Sequence, residues 1–269
     1  MNASDKTDHT LGKVWFVGAG PGDPELITVK AQRLLQQAGA VLYAGSLVNQ
    51  AATMYAPDTC KIRDSKDMTL ADITDWLIAQ AQRHQTVVRL QTGDPGLYGA
   101  LVEMVRPLDA AGIHWAVVPG VSSAMAAAAA AGETLTLPEV TQTVILTRVA
   151  GRTPMPAGEE LEALAAHHTT LCIFLSITLL PEVRRALLAA GWEDDAPILV
   201  VQKASWPDQE KIVRGTLSDI GAKCRAEKIN SQAMIIASPA LGARYWPEIQ
   251  HSKLYDAEFS HRFRQAVKP

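Results

Sequence analysis

The residues best placed for chemistry in this chain stand in three short stretches rich in glycine and hydroxyl groups. The first, VGAGPGDPELIT, residues 17–28, sets Gly18, Gly20 and Gly22 within five positions, with Pro21 among them and Asp23-Pro24 following. The second, LQTGDPGLYGA, residues 90–100, carries Thr92, Gly93 and Asp94 ahead of Pro95. The third, VPGVSSAM, residues 118–125, brings Ser122 and Ser123 to the start of a helical run. Each follows a short apolar run, which makes each a turn at the carboxyl end of a strand. In open α/β sheets that rim is where ligands bind.

The first stretch invites comparison with the pyrophosphate-binding pattern G-x-G-x-x-G, in which a helix N-terminus faces the phosphates. Here Asp23 stands where the third glycine belongs, and its carboxylate would compete with a phosphate for the helix amides. Asp23-Pro24 suits an N-cap followed by a first helical residue. The second apolar run ends Tyr43-Ala44-Gly45, without the acidic residue that would hold a ribose. A ligand without phosphates fits better. S-adenosylmethionine, with its sulfonium, adenosine and amino acid, suits a stiff turn that brings backbone groups close. A plain strand-to-helix turn stays open beside it. For Asp94 two roles also stay open: capping a helix begun by Pro95, or contacting a cofactor.

The elements that would hold these turns alternate. Val14–Val17, Ala40–Tyr43, Thr86–Leu90 and Trp115–Val118 have strand patterns, and helices are predicted over 24–38, 73–83 and 97–110. The alanine run up to Ala131 reads as a tightly packed helix begun near Ser122 or Ser123 and stopped by Gly132. This order implies a largely parallel sheet. A second block follows, with strands at 143–147, 171–175, 198–201 and 233–237 and helices at 159–166 and 181–190. We therefore expect two α/β domains, residues 1–125 and 126–250, with the boundary near 120–135 and a terminal extension over 251–269.

Composition agrees with an ordinary globular enzyme. Of 269 residues, 48 % are hydrophobic and 20 % charged, and the formal charge is −3. A nucleic-acid partner usually demands a strong basic excess, so none is expected. Cys60, Cys172 and Cys224 are distant from one another, which argues for reduced thiols in a cytoplasmic protein rather than a disulfide framework or zinc site. His167 and His168 are adjacent; on a helix they would point about 100° apart, and no metal site is expected. Residues 1–12 carry no apolar signal core, and no apolar run approaches a membrane span.

Taken together, VGAGPGDPELIT and RLQTGDPGLYGA resemble the two signatures of the tetrapyrrole (precorrin) methyltransferases. The similarity continues through PGVSS, LCIFLS, VVQKASWPDQ and AMIIASPAL, over roughly residues 13–245. The resemblance implies two α/β domains that bind S-adenosylmethionine in the cleft between them, release S-adenosylhomocysteine, and assemble as a homodimer. VLYAGSLV, DMTL and TLTLPEVTQTVILTRVAGRTPMP are similar to members that methylate precorrin-4, or its cobalt form, at carbon 11 in cobalamin biosynthesis. A same-fold enzyme acting on another precorrin, a protein histidine or ribosomal RNA stays open, as does a nucleotide-dependent oxidoreductase.

Carried over position by position, the resemblance implies cofactor contacts at Pro21, Thr92, Gly93, Asp94, Leu97, Ser122 and Ser123. From the second block it implies Leu175, Ala204 and, beside the adenine, Pro239 and Ala240. Members acting on uroporphyrinogen carry an acidic residue just after the tyrosine of the second strand. This chain has Ala44, Gly45 and Ser46 there. Methyl transfer relies chiefly on holding donor and acceptor in line in a dry site, so positioning groups are expected rather than an identified base. Tyr43, Ser46 and Tyr98 are candidates for lining the macrocycle. Its carboxylates suit the bidentate guanidinium, and Arg63, Arg89, Arg148 and Arg152 are the candidates.

Overall fold

A computed structural model describes residues 11–249 and 252–266. Residues 1–10, most of the segment in which the sequence shows no signal core, lie outside the described residues. So do Gln250, His251 and 267–269 of the expected extension. The chain divides into two units. One is the chain through Ala126 together with Ser205–Gln209; the other is Ala127–Ala204 and the chain from Glu210 onward.

The first unit holds a five-stranded sheet of β1 (Lys13–Gly18), β2 (Ala40–Tyr43), β3 (Lys61–Asp64), β4 (Thr86–Gln91) and β5 (Trp115–Val118). All neighbours are parallel, in the order β3-β2-β4-β1-β5. Successive side chains alternate between the faces of a strand. Val14, Phe16, Leu42 and Val87 thus meet α2 (Leu70–Ala81) and α3 (Leu101–Ala110) through Trp76, Leu77, Met104 and Leu108. Val17, Val41, Val88 and Leu90 meet Ala31 and Leu35 of α1 (Val29–Gln36). A parallel sheet covered on both faces is apolar at almost every position, which is why these strands stand out in the sequence. The exposed edge strand β3, KIRD, does not, and the sequence reading omits it.

Local chemistry moves several boundaries. The helix expected over 24–38 is instead a 3₁₀ turn, Pro24–Leu26, capped by Asp23, followed by α1. Thr28 starts α1 by accepting from Ala31 N at 3.1 Å. Thr69 and Asp72 form a capping box that begins α2 at Leu70 rather than Ile73. No helix begins at Pro95; the chain turns there, and α3 starts at Leu101. The alanine helix α4 (Ser123–Ala131) ends at Gly132, φ +64°.

The second unit has β6 (Val144–Arg148), β7 (Thr170–Phe174), β8 (Pro197–Gln202), β9 (Lys211–Thr216) and β10 (Ala233–Ala237), in the order β6-β7-β10-β8-β9. Only β6 and β7 run parallel; the other pairs are antiparallel. Leu171, Ile173, Ile198, Val200 and Ile235 form its core with α5 (Leu161–Ala165), α6 (Leu180–Ala189) and α7 (Ile220–Ala226). The sequence reading omits β9 and α7, whose charged outer faces dilute the apolar pattern. No helix among the described residues is long and apolar enough to cross a membrane.

Candidate active site

Strands β4, β1 and β5 are neighbours, so the three chemically suggestive turns rise side by side from the carboxyl edge of the first sheet. Beyond the strands they stay joined. Ala19 N donates to Gln91 O at 2.7 Å and Gly93 N to Gly20 O at 2.8 Å, both glycines having left-handed backbone at φ +72° and +58°. A Cβ added to Gly120 would lie 2.1 Å from Gly93 O, and one added to Gly18 would lie 2.5 Å from Gly120 Cα. Three backbones therefore meet where no side chain fits.

Asp94 fastens this junction. Its Oδ1 accepts from Gly96 N at 2.7 Å and its Oδ2 from Gly120 N at 2.9 Å. Both oxygens are committed, one to its own turn and one to the turn after β5. The helix-capping role considered for Asp94 gives way to this bridge, because no helix begins at Pro95.

The first turn has a further support that the sequence reading misses. Ser205–Gln209, between β8 and β9, belong with the first unit. Trp206 Nε1 donates to Pro21 O at 3.0 Å, and Asp23 N donates to Ser205 Oγ at 3.1 Å. A Cβ on Gly22 would lie 2.0 Å from Trp206 Cδ1, so that glycine is the seat of the indole. Lys203, Ser205 and Asp208 all have positive φ, an unusual density of strain for non-glycine residues. A lone tryptophan in a polar hairpin, followed by Pro-Asp, was the available signal.

The turns contain no lysine or arginine between residues 17 and 28, 90 and 100, or 118 and 125. Beside backbone amides and carbonyls, their polar groups include Thr92, Ser122, Ser123, Tyr98 and the carboxylates of Asp23, Glu25 and Asp94. Close backbone approach without cationic side chains fits a nucleoside-type ligand whose own charge is positive. Pro21 and Ser122 are buried, Thr92 and Leu97 half-buried, and Tyr98 exposed with φ +55°. Ser122 Oγ accepts from Ala124 N at 3.3 Å as α4 begins.

In the second unit, Leu175 follows β7 with φ +53° and is 62 % exposed, a combination unusual for a branched apolar residue. Ala204 and Ala240 are buried and Pro239 half-buried. Ser238 organises the last turn, accepting from Ala240 N at 3.1 Å and pairing with Thr170 Oγ1 at 2.6 Å. Glu133, its side chain only 2 % exposed, pairs with Arg214 and accepts from Gly242 N, a buried anchor that no motif announces.

Of the acceptor-side candidates, Ser46 is exposed, whereas Tyr43 is buried in the sheet core; burial, aided by Asp64, raises its phenol above the ordinary range. The four arginines do not form one group. Arg63 and Arg152 are exposed. Arg148 instead folds its own loop, donating to the carbonyls of Thr153 and Pro154 at 3.1 and 2.6 Å. Arg89 is buried, with Nη1 on Ser65 Oγ at 2.8 Å, and burial lowers its pKa to about 10 despite nearby Asp64. Neither committed guanidinium presents a free bidentate face. His168 stacks on Trp192, ring centroids 5.7 Å apart, and no metal-binding cluster occurs among the described residues.

Comparison with known proteins gives the chain's family and relatives. The family model for Tetrapyrrole (Corrin/Porphyrin) Methylases matches residues 13–221. A cobalt-precorrin-4 C(11)-methyltransferase of Methanocaldococcus jannaschii is 46 % identical over 256 residues, 95 % of this chain and 97 % of that one. The X-ray structure of a cobalt precorrin-4 methyltransferase, a cobalamin biosynthetic enzyme, is similar at TM-score 0.82 and 47 % identity, over 85 % of this chain and 95 % of that one. A uroporphyrin-III C-methyltransferase from Thermus thermophilus, crystallised with S-adenosyl homocysteine, matches at TM-score 0.70 and 31 % identity, over 86 % and 94 % of the two chains.

Proposed function

Because the chain belongs to the tetrapyrrole (corrin/porphyrin) methylases, we propose that it methylates precorrin-4, or its cobalt form, at carbon 11 in cobalamin biosynthesis. The single observation that carries this choice of acceptor is the 46 % identity spanning nearly the full length of both chains. The oxidoreductase alternative is set aside with the family membership.

S-adenosylmethionine supplies an electrophilic methyl group on a sulfonium. The chain's part is to hold that group in line with a nucleophilic carbon, and a fixed pair of reactants removes much of the entropic barrier. Pro21, Thr92, Gly93, Asp94, Leu97, Ser122 and Ser123 form the donor side in the first unit. Leu175, Ala204, Pro239 and Ala240, in the second unit, are cofactor contacts by the family resemblance alone. The backbone junction at Gly18, Gly93 and Gly120 keeps the first set rigid, so little ordering is left to occur on binding. Tyr98 and Ser46 face the acceptor, and Arg63 and Arg152 receive its carboxylates. Tyr43 supports this side from within the sheet. The enzyme works in the cytoplasm as a homodimer, which light scattering tests: a monomer at micromolar concentration contradicts the dimer.

Calorimetry tests the donor assignment. S-adenosylhomocysteine is expected to bind and to raise the melting temperature, as a ligand of the native state must; NAD and NADP are expected to do neither. Tight NAD binding without S-adenosylhomocysteine binding overturns the proposal.

A further inference from the structure

Methyl transfer leaves a charge to be settled. An electron pair on the acceptor carbon forms the new C–C bond, and the pair of the breaking S–C bond stays on sulfur, which becomes a neutral thioether. The macrocycle gains one positive charge and regains neutrality by releasing a ring N–H proton. Water or a group on the acceptor side receives it. The segment after β2, Ala44-Gly45-Ser46, offers no acid.

The fold brings one there from the adjacent strand. Asp64 ends β3, and its Oδ1 accepts from Gly45 N at 3.0 Å and from Lys66 N at 2.9 Å. A Cβ on Gly45 would lie 2.2 Å from Asp64 Oδ2. The carboxylate thus occupies the space that any side chain at position 45 would take. Its Oδ2 makes no hydrogen bond among the described residues, whereas Asp94 has both oxygens engaged. Behind it lies Arg89, 6 % exposed, with Nη1 on Ser65 Oγ and Nε without a partner. Ser65 Oγ in turn donates to Tyr43 O at 3.1 Å. A buried cation held by the next residue of the same strand end gives the carboxylate a fixed electrostatic neighbour.

Resting on the methyltransferase function proposed above, we infer that Asp64 is the proton acceptor of the reaction, its Oδ2 receiving the proton the macrocycle releases and passing it to water after product leaves. Gly45 is the residue that makes room for it. Oδ1 positions the loop carrying Ser46; Oδ2 does the chemistry.

Asp64→Asn separates these two tasks, because the amide oxygen can still accept from Gly45 N and Lys66 N but the proton-accepting oxygen is gone. In single-turnover methyl transfer with precorrin-4, the rate is expected to fall about 100-fold or more, the usual contribution of general-base catalysis. S-adenosylhomocysteine affinity should change less than about 3-fold, since the donor turns are untouched. Should Asp64→Asn fail to fold, Gly45→Ala keeps the carboxylate and displaces Oδ2; the same loss of rate with donor affinity kept is expected. A transfer rate within about 3-fold of wild type in the folded Asn variant, or in Gly45→Ala where Asn does not fold, overturns the assignment and leaves Asp64 a loop anchor. Parallel loss of donor affinity in the variant used overturns it as well. Absence of transfer by the wild-type enzyme would instead reject the function on which the inference rests.

Discussion

Replacing Asp94 by Asn should be far from silent. Judged as a helix cap, the change would be nearly neutral, since Asn caps about as well as Asp. In the structure the carboxylate accepts from Gly96 N with one oxygen and from Gly120 N with the other. Asn has a single acceptor oxygen, and its NH₂ would point at one of the two N–H groups. Leaving the part-buried Gly120 N–H unsatisfied costs about 1–3 kcal/mol, and the surviving bond loses its charge assistance. A loss of about 2–3 kcal/mol is therefore expected. For a chain of this size about 1 kcal/mol corresponds to roughly 2–4 °C in melting temperature, so Tm should drop by about 4–12 °C. Because the broken bond joins the turns after β4 and β5, S-adenosylhomocysteine affinity should fall about 10-fold, equivalent to about 1.4 kcal/mol. Differential scanning fluorimetry and calorimetry measure both. A Tm within about 1 °C of wild type, with unchanged affinity, would refute the bridging role.

Three other perturbations probe separate parts of the site. Gly120→Ala places a methyl 2.1 Å from Gly93 O; overpacking of this kind costs at least about 1–3 kcal/mol, and a variant as stable as wild type by denaturant unfolding would contradict the backbone junction. Trp206→Phe keeps an aromatic ring over Gly22 but removes the bond to Pro21 O; losing about 1 kcal/mol should weaken S-adenosylhomocysteine binding about 5-fold in calorimetry, and unaltered binding would deny the hairpin its supporting role. Burial pushes the Cys172 thiol up to about 12, so at pH 8 the folded protein holds it as thiol, and a thiolate-selective reagent should label it only on unfolding. Rapid native labelling by mass spectrometry would place it elsewhere.

The parts of the fold legible in the sequence are those whose burial is uniform. The two-faced parallel strands β1, β2 and β4 show because both sides of each are apolar, and the alanine helix shows because Gly132 ends it. Strand β3 was illegible: KIRD is an exposed edge, held by pairing with β2 rather than by its own apolarity. The three glycine-containing turns could be read because each follows an apolar strand pattern and carries turn-forming residues. Their mutual bonds could not, since Asp94 and Gly120 are joined across 26 positions. The same limit hid Trp206, Glu133 and Asp64, each of which acts on a residue distant in sequence. Arginine candidates chosen by type alone divided for a physical reason: Arg89 lies on a central strand, where its side chain can only point into a core, while Arg63 lies at the exposed edge.

The most direct test of methylation at carbon 11 uses donor labelled with carbon-13 in its methyl group. After turnover with precorrin-4 and, separately, with its cobalt form, mass spectrometry and carbon-13 NMR of the product should show one new labelled methyl, attached at carbon 11, while uroporphyrinogen is left almost unconsumed. Label at any other carbon, or efficient methylation of uroporphyrinogen, would contradict it.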